Sequence, residues 1–133
     1  MKKFAALLMA GIFPLIAHVA LSHHSFAAQY DRNKPKTITG VVTKVEWMNP
    51  HVYFYIDVKD DAGKVTNWAC EMGNPAGLYR RGWTKDALKI GSTVVVAGSL
   101  AKDGTALLNA TTVTLNGKQL FAGSSGEEGY DGK

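Results

Sequence analysis

A single cysteine, Cys70, stands in this chain of 133 residues, so no intrachain disulfide can hold the fold together. There is one long apolar run, at the N-terminus, and no second stretch of that length. Internal repeats are absent. So are a Ser–His–Asp order, a phosphate-binding glycine loop, zinc-ligand spacing and a haem-attachment motif. Glu46, Asp57, Glu71 and Asp86 are scattered, with no acid–base spacing that argues for side-chain catalysis. Charge of one sign is scarce as well. The formal net charge is +4, and Lys2 and Lys3 supply two of those charges from the N-terminal run.

That run reads as a signal peptide over residues 1–22. Lys2 and Lys3 form the basic start, Phe4 to Leu21 the apolar stretch, and Ala20 and Ser22 the small residues before the cut. Pro14 and His18 interrupt it, which argues against a retained membrane anchor. A cut after Ala27 is the alternative site. Cleavage after Ser22 predicts a periplasmic or secreted protein without a membrane span, beginning at His23. The small remaining charge gives no argument for anionic lipid or nucleic acid, and the expectation is of no nucleic-acid partner.

The mature chain divides by its patterning. Residues 23–36 read as a polar N-terminal arm, with Pro35 disfavouring helix at Lys34. A β domain is expected over 37–122. Thr37–Trp47 is rich in β-branched residues. In Val52–Lys59 the residues Val52, Phe54, Ile56 and Val58 alternate with Tyr53, Tyr55, Asp57 and Lys59. Asp60-Asp61-Ala62-Gly63 is a turn, and Val65–Met72 pairs back. Asn74, Pro75 and Gly82 suit the cap, first position and exit of a short helix across Ala76–Arg81. Thr93–Leu100 and Ala106–Leu115 complete five strands. Residues 123–133 are glycine, serine and acidic residues with little to bury, and read as a disordered tail. Three strands, a short helix and two strands predict an all-β fold, a small five-stranded OB-like barrel, with an open β-sandwich as the alternative.

Cleavage after Ser22 would expose His23 as an N-terminal residue, followed by His24. Its free amine and ring nitrogen can chelate one metal ion. A further imidazole, from His24 or from His51 in Met48-Asn49-Pro50-His51, completes a nitrogen-rich set of the kind that favours Cu(II). Trp68, Cys70 and Met72 share one face of a predicted strand. They read as core, with Met72 the better candidate for a weak axial ligand. Trp47, Tyr53, Tyr55, Tyr79 and Trp83, with Arg80 and Arg81, are candidates for a stacking surface for a small ligand such as an oligosaccharide, or for nucleic acid, of which the small charge and expected export argue against nucleic acid.

Four motifs in order, His23-His24-Ser25-Phe26, Trp47-Met48-Asn49-Pro50-His51-Val52, Trp68-Ala69-Cys70-Glu71-Met72-Gly73 and Arg80-Arg81-Gly82-Trp83-Thr84, resemble an exported proteobacterial family, domain of unknown function six-one-five-two. The resemblance runs from His23 to about Ser124. It implies an exported small β domain and carries no activity or site residue. Cys70 stands where the resemblance leads one to expect an aromatic residue, which weighs against a shared thiolate ligand.

The functional expectation is a metal-binding protein, a copper carrier or sequestering protein using His23 with His24 or His51. Two rivals are kept: a non-metal binding or assembly module using Trp47, Tyr53, Tyr55, Arg80 and Trp83, and a copper redox enzyme. The last would need an open coordination position and a substrate surface, and the sequence displays neither.

Overall fold

Strand-forming alternation becomes a closed sheet once the strands find their registers. The computed structural model describes residues 25–123. In chain order they form α1 (Ser25–Gln29), β1 (Tyr30–Glu46), β2 (Tyr53–Lys59), β3 (Val65–Glu71), α2 (Pro75–Arg80), β4 (Thr93–Ala101), β5 (Leu107–Leu115) and β6 (Lys118–Phe121).

β1 is long enough to serve both halves of the sheet. Its C-terminal part pairs with β2, from Val41 opposite Asp57 to Glu46 opposite Tyr53. Its N-terminal part pairs with β4, from Tyr30 opposite Ala101 to Val41 opposite Thr93. Register shifts between Asp31 and Pro35 and between Val42 and Lys44 bend the strand, as bulges do. β2 and β3 continue as an antiparallel meander. β5 pairs antiparallel with β4 and parallel with β3, Ala69 to Glu71 running beside Leu107 to Asn109. The strand order β3-β2-β1-β4-β5, with β3 also joined to β5, closes the sheet. This is the connectivity of an OB-type barrel, and the closure removes the open β-sandwich. Gly98 makes it possible: a Cβ there would lie 2.0 Å from the Asn109 carbonyl oxygen, at a register shift between β4 and β5.

The alternation in β2 sorts as expected. Phe54 and Ile56 are fully buried, while Tyr53 and Tyr55 on the other face are half-buried. Cys70 and Met72 join them inside, with Val42, Val94, Val96, Leu108 and Val113. α2 plugs one end of the barrel. Asn74 caps it, its Oδ1 accepting from the Gly77 N–H at 2.7 Å, and Pro75 opens it. Gly82 provides the left-handed exit at φ +88°. Leu78 and Trp83 are thereby driven into the core.

Two elements depart from the sequence reading. Residues 25–36, expected as an arm, divide into α1 and the opening of β1. Phe26 and Tyr30 build a second small core there with Ala101 and Leu107, outside the barrel. Burying two aromatic rings is what binds this segment to the domain. The sixth strand was not expected. It hairpins off β5 through Asn116-Gly117, both at positive φ, the geometry of a two-residue hairpin turn. Residues 1–22, His23, His24 and residues 124–133 lie outside the described residues. Among the described residues no helix is long and apolar enough to cross a membrane.

Candidate functional site

A buried carboxylate is costly unless donors surround it. Glu71, 3% exposed, is such a residue, and its place on the barrel explains how it is accommodated. It points away from the interior face that holds Cys70 and Met72. Tyr53 on β2 stands directly opposite it in the antiparallel register, and Asn109 on β5 stands beside it in the parallel one. Tyr30, at the start of β1, covers it from outside, and its hydroxyl donates to Glu71 Oε2. The Tyr53 hydroxyl is also hydrogen-bonded to the carboxylate, and Asn109 is bonded to Tyr30.

His51 completes the group. The backbone of Val52 is tied to the end of β3, its N–H donating to the Gly73 carbonyl at 3.0 Å and its carbonyl accepting from the Met72 N–H at 2.8 Å. Val52 therefore faces the core and His51 faces outward beside Glu71. The Asn49–Pro50 peptide before it is cis. His51 Nδ1 lies 2.7 Å from Glu71 Oε1, with the histidine side chain 21% exposed.

The electrostatics define roles. Burial, followed by the hydrogen bond and charge of Glu71, pushes the Tyr30 hydroxyl far above its usual range. Burial, then the Glu71 charge, does the same for Tyr53. Both tyrosines are held as neutral donors. A carboxylate only accepts, so the proton of the His51 contact sits on Nδ1, and in the neutral ring the lone pair is on Nε2. Such an imidazole can accept a proton or bind a metal ion.

The model of a family of unknown function, DUF6152, matches residues 13–109. The chain belongs to DUF6152. The curated proteins contain no match to the sequence. Among solved structures, this DUF6152 chain is similar to the mitochondrial single-stranded DNA binding protein Rim1 of S. cerevisiae, at 13% identity and a TM-score of 0.49. That superposition covers 62% of this chain and 93% of that one. It is also similar to the N-terminal domain of the PriB protein from Thermoanaerobacter tencongensis, at 17% identity and a TM-score of 0.45, covering 62% of this chain and 96% of that one.

One expectation is corrected beside these neighbours, one of which is a single-stranded DNA binding protein. A small net charge was the ground for excluding a nucleic-acid partner, and net charge does not carry that exclusion, so it is withdrawn. The physical reason is that single strands are held by local groove charge and stacking aromatics, which a sum over all residues does not report.

The expected site residues separate in space. His51 is in the polar cluster, whereas Met72, directly after β3, is fully buried on the side opposite Glu71, so the two are not brought together. Cys70 is equally buried, and desolvation pushes its thiol up to about 12, far from the thiolate a metal would need. The aromatic surface does not form as one patch. Trp83, 1% exposed, is core, and its Nε1 donates to the Phe121 carbonyl at 2.8 Å, because the barrel end needs a large ring to fill it. Tyr53 belongs to the Glu71 cluster. Tyr55 lies further along β2, donating to Glu46 Oε2 at 2.9 Å with the Lys44 ammonium 5.3 Å from its ring centre. Trp47 packs on Tyr79 of α2 with ring centres 5.3 Å apart, near exposed Arg80.

Among the described residues no group of three His, Cys, Asp or Glu side chains converges on one point. The cluster thus offers one ring nitrogen, from His51. Sequence reasoning missed Glu71 and Tyr30 as members. Their separation of 41 positions leaves no local signal, and the one available clue was an acidic residue inside a strand of the Trp68–Gly73 motif.

Proposed function

We propose that this protein is exported by cleavage of residues 1–22 and binds a metal ion, copper above others, as a carrier or sequestering protein. His51 Nε2 and the amine and imidazole of His23 are the ligands, with His24 as the alternative imidazole. The observation that supports this reading is the 2.7 Å contact between His51 Nδ1 and Glu71 Oε1. A histidine that donates one ring N–H to a buried carboxylate has a fixed tautomer and a more basic second nitrogen, the usual support for a metal-bound imidazole. A nitrogen-rich set favours Cu(II) among first-row divalent ions.

Copper titration of the mature protein tests it, against a form carrying one extra residue before His23. The extension should weaken Cu(II) binding strongly, because it replaces the chelating amine by an amide. His51→Ala should weaken it too. If the terminal arm binds alone, His24→Ala takes its place as the sensitive variant. Equal affinity in the extended and mature forms would overturn the proposal.

A further inference from the structure

The chain from α2 to β4 turns its large side chains inward at Leu78, Trp83 and Leu88, which are buried in the core, and Ala87 packs against it. Neighbouring side chains are sent outward in consequence. Tyr79 is 51% exposed, and Ile90, at 74%, is the most exposed large apolar side chain among the described residues. Arg80, Lys85 and Lys89 are exposed on the same segment, and Asp86 is the one acid in residues 75–92. Arg81 is engaged by the Phe121 ring, 4.6 Å from its centre.

Both ends of this segment are tied to the C-terminal half of β1. Tyr79 packs on Trp47, just past the end of β1, with ring centres 5.3 Å apart. The Gly91 N–H donates to the Val42 carbonyl at 2.8 Å, and the Val42 N–H donates to the Ser92 carbonyl at 2.9 Å. Met48, 51% exposed, follows Trp47. Glu46, the acid that precedes Trp47, is held by Lys44 and by the Tyr55 hydroxyl. It therefore leaves the three cations without an opposing charge from the end of β1. A lone exposed apolar residue is ordinary. Three of them on one tied stretch of surface with three cations are not, and the net charge of the whole chain hides the combination.

We propose that the α2 end of the barrel is a peripheral docking surface for a membrane of anionic phospholipid. Arg80, Lys85 and Lys89 meet the lipid phosphates, and Ile90, Met48 and Tyr79 enter the boundary between headgroups and acyl chains. Single-stranded nucleic acid offers the same phosphates, but its bases stack on aromatic rings and leave the aliphatic Ile90 and Met48 without a counterpart. The proposal is independent of the copper reading.

The test is co-sedimentation of the mature protein with equimolar phosphatidylglycerol–phosphatidylcholine vesicles, against vesicles of phosphatidylcholine alone. Binding should require the anionic lipid and should weaken as salt is raised. Each cation removed should weaken partitioning about fivefold, so Lys85→Gln combined with Lys89→Gln should weaken it about twenty-five-fold. Ile90→Ser should weaken it about tenfold. Val65→Ser, at a 54% exposed apolar position on β3, is the control and should bind as wild type does. Vesicles with brominated acyl chains should quench tryptophan fluorescence, and Trp47→Phe should remove most of that quenching. All the partitioning variants alter exposed side chains on which the barrel does not depend. Equal binding to both kinds of vesicle overturns the proposal, as does wild-type binding by either the double lysine variant or Ile90→Ser. Binding to oligothymidylate but not to vesicles assigns the surface to single strands and overturns it too.

Discussion

At the scale of single residues, burial decides chemistry more than residue type does. Cys70 could have been a soft ligand, yet desolvation alone raises its thiol from the usual 9.0 to about 12. The sign follows from which state ionises first. Above pH 9 the unfolded chain loses this proton while the folded protein keeps it, so stability present below pH 9 is lost as the pH climbs toward 12. Tyr30 and Tyr53, also raised, steepen the loss above pH 10. Urea midpoints measured from pH 8 to 11 should fall in wild type. The fall should begin later in Cys70→Ala, with only the tyrosines remaining. An identical onset would show that the thiol does not stay protonated in the fold. Cys70→Ser places a hydroxyl in the same apolar site and should lower stability by about 1–3 kcal/mol at neutral pH. The inertness of Cys70 was legible beforehand, because Trp68, Cys70 and Met72 fall on one strand face by simple alternation. The burial of Glu71 was not, since an acid on the outer face of a strand is ordinarily solvated.

At the scale of elements, each strand and the short helix can be traced to local chemistry. Asn74-Pro75 begins α2 and Gly82 ends it, as the side-chain cap and positive φ require. β6 was signalled by Asn116-Gly117, a strong hairpin pair that lay beyond the five strands expected. α1 carried no such signal. Its helix depends on Lys102 and on the packing of Phe26 and Tyr30 over β4 and β5, contacts made across most of the chain. The junction of β4 with β5 is equally non-local. Gly98→Ala would set a Cβ 2.0 Å from the Asn109 carbonyl, a backbone atom that cannot swing aside. The substitution should cost stability at the upper end of the roughly 1–3 kcal/mol typical of overpacking. Hydrogen exchange should quicken first along the pairing of β5 with β3 and β4. A Gly98→Ala protein with unchanged denaturant midpoint would refute this account of the closure.

At the scale of the whole molecule, the barrel supplies rigidity and the N-terminus supplies the variable. Every copper expectation depends on the proposed cleavage and on where the chain then begins. The intact mass of protein recovered from the periplasm should correspond to a start at His23. A start at Ala28, or a retained Met1, would remove the terminal chelate. The aromatic candidates teach a complementary point. Trp47, Tyr53, Tyr55 and Trp83 read alike in the sequence as surface aromatics, but closure of the sheet sends Trp83 inward, Tyr53 to Glu71 and Trp47 to Tyr79.

The amino-acid sequence by itself determined the all-β character, the strand faces, the helix cap and the isolation of Cys70. These follow from period-two alternation, turn residues and counts, all of which act over a few neighbouring positions. Only the tertiary structure decided that Glu71 would be buried among Tyr30, Tyr53, His51 and Asn109. That cluster requires the β2–β3 and β3–β5 registers and the docking of α1 at once. A partner 41 positions away is chosen by the closure of the barrel, which no local pattern encodes.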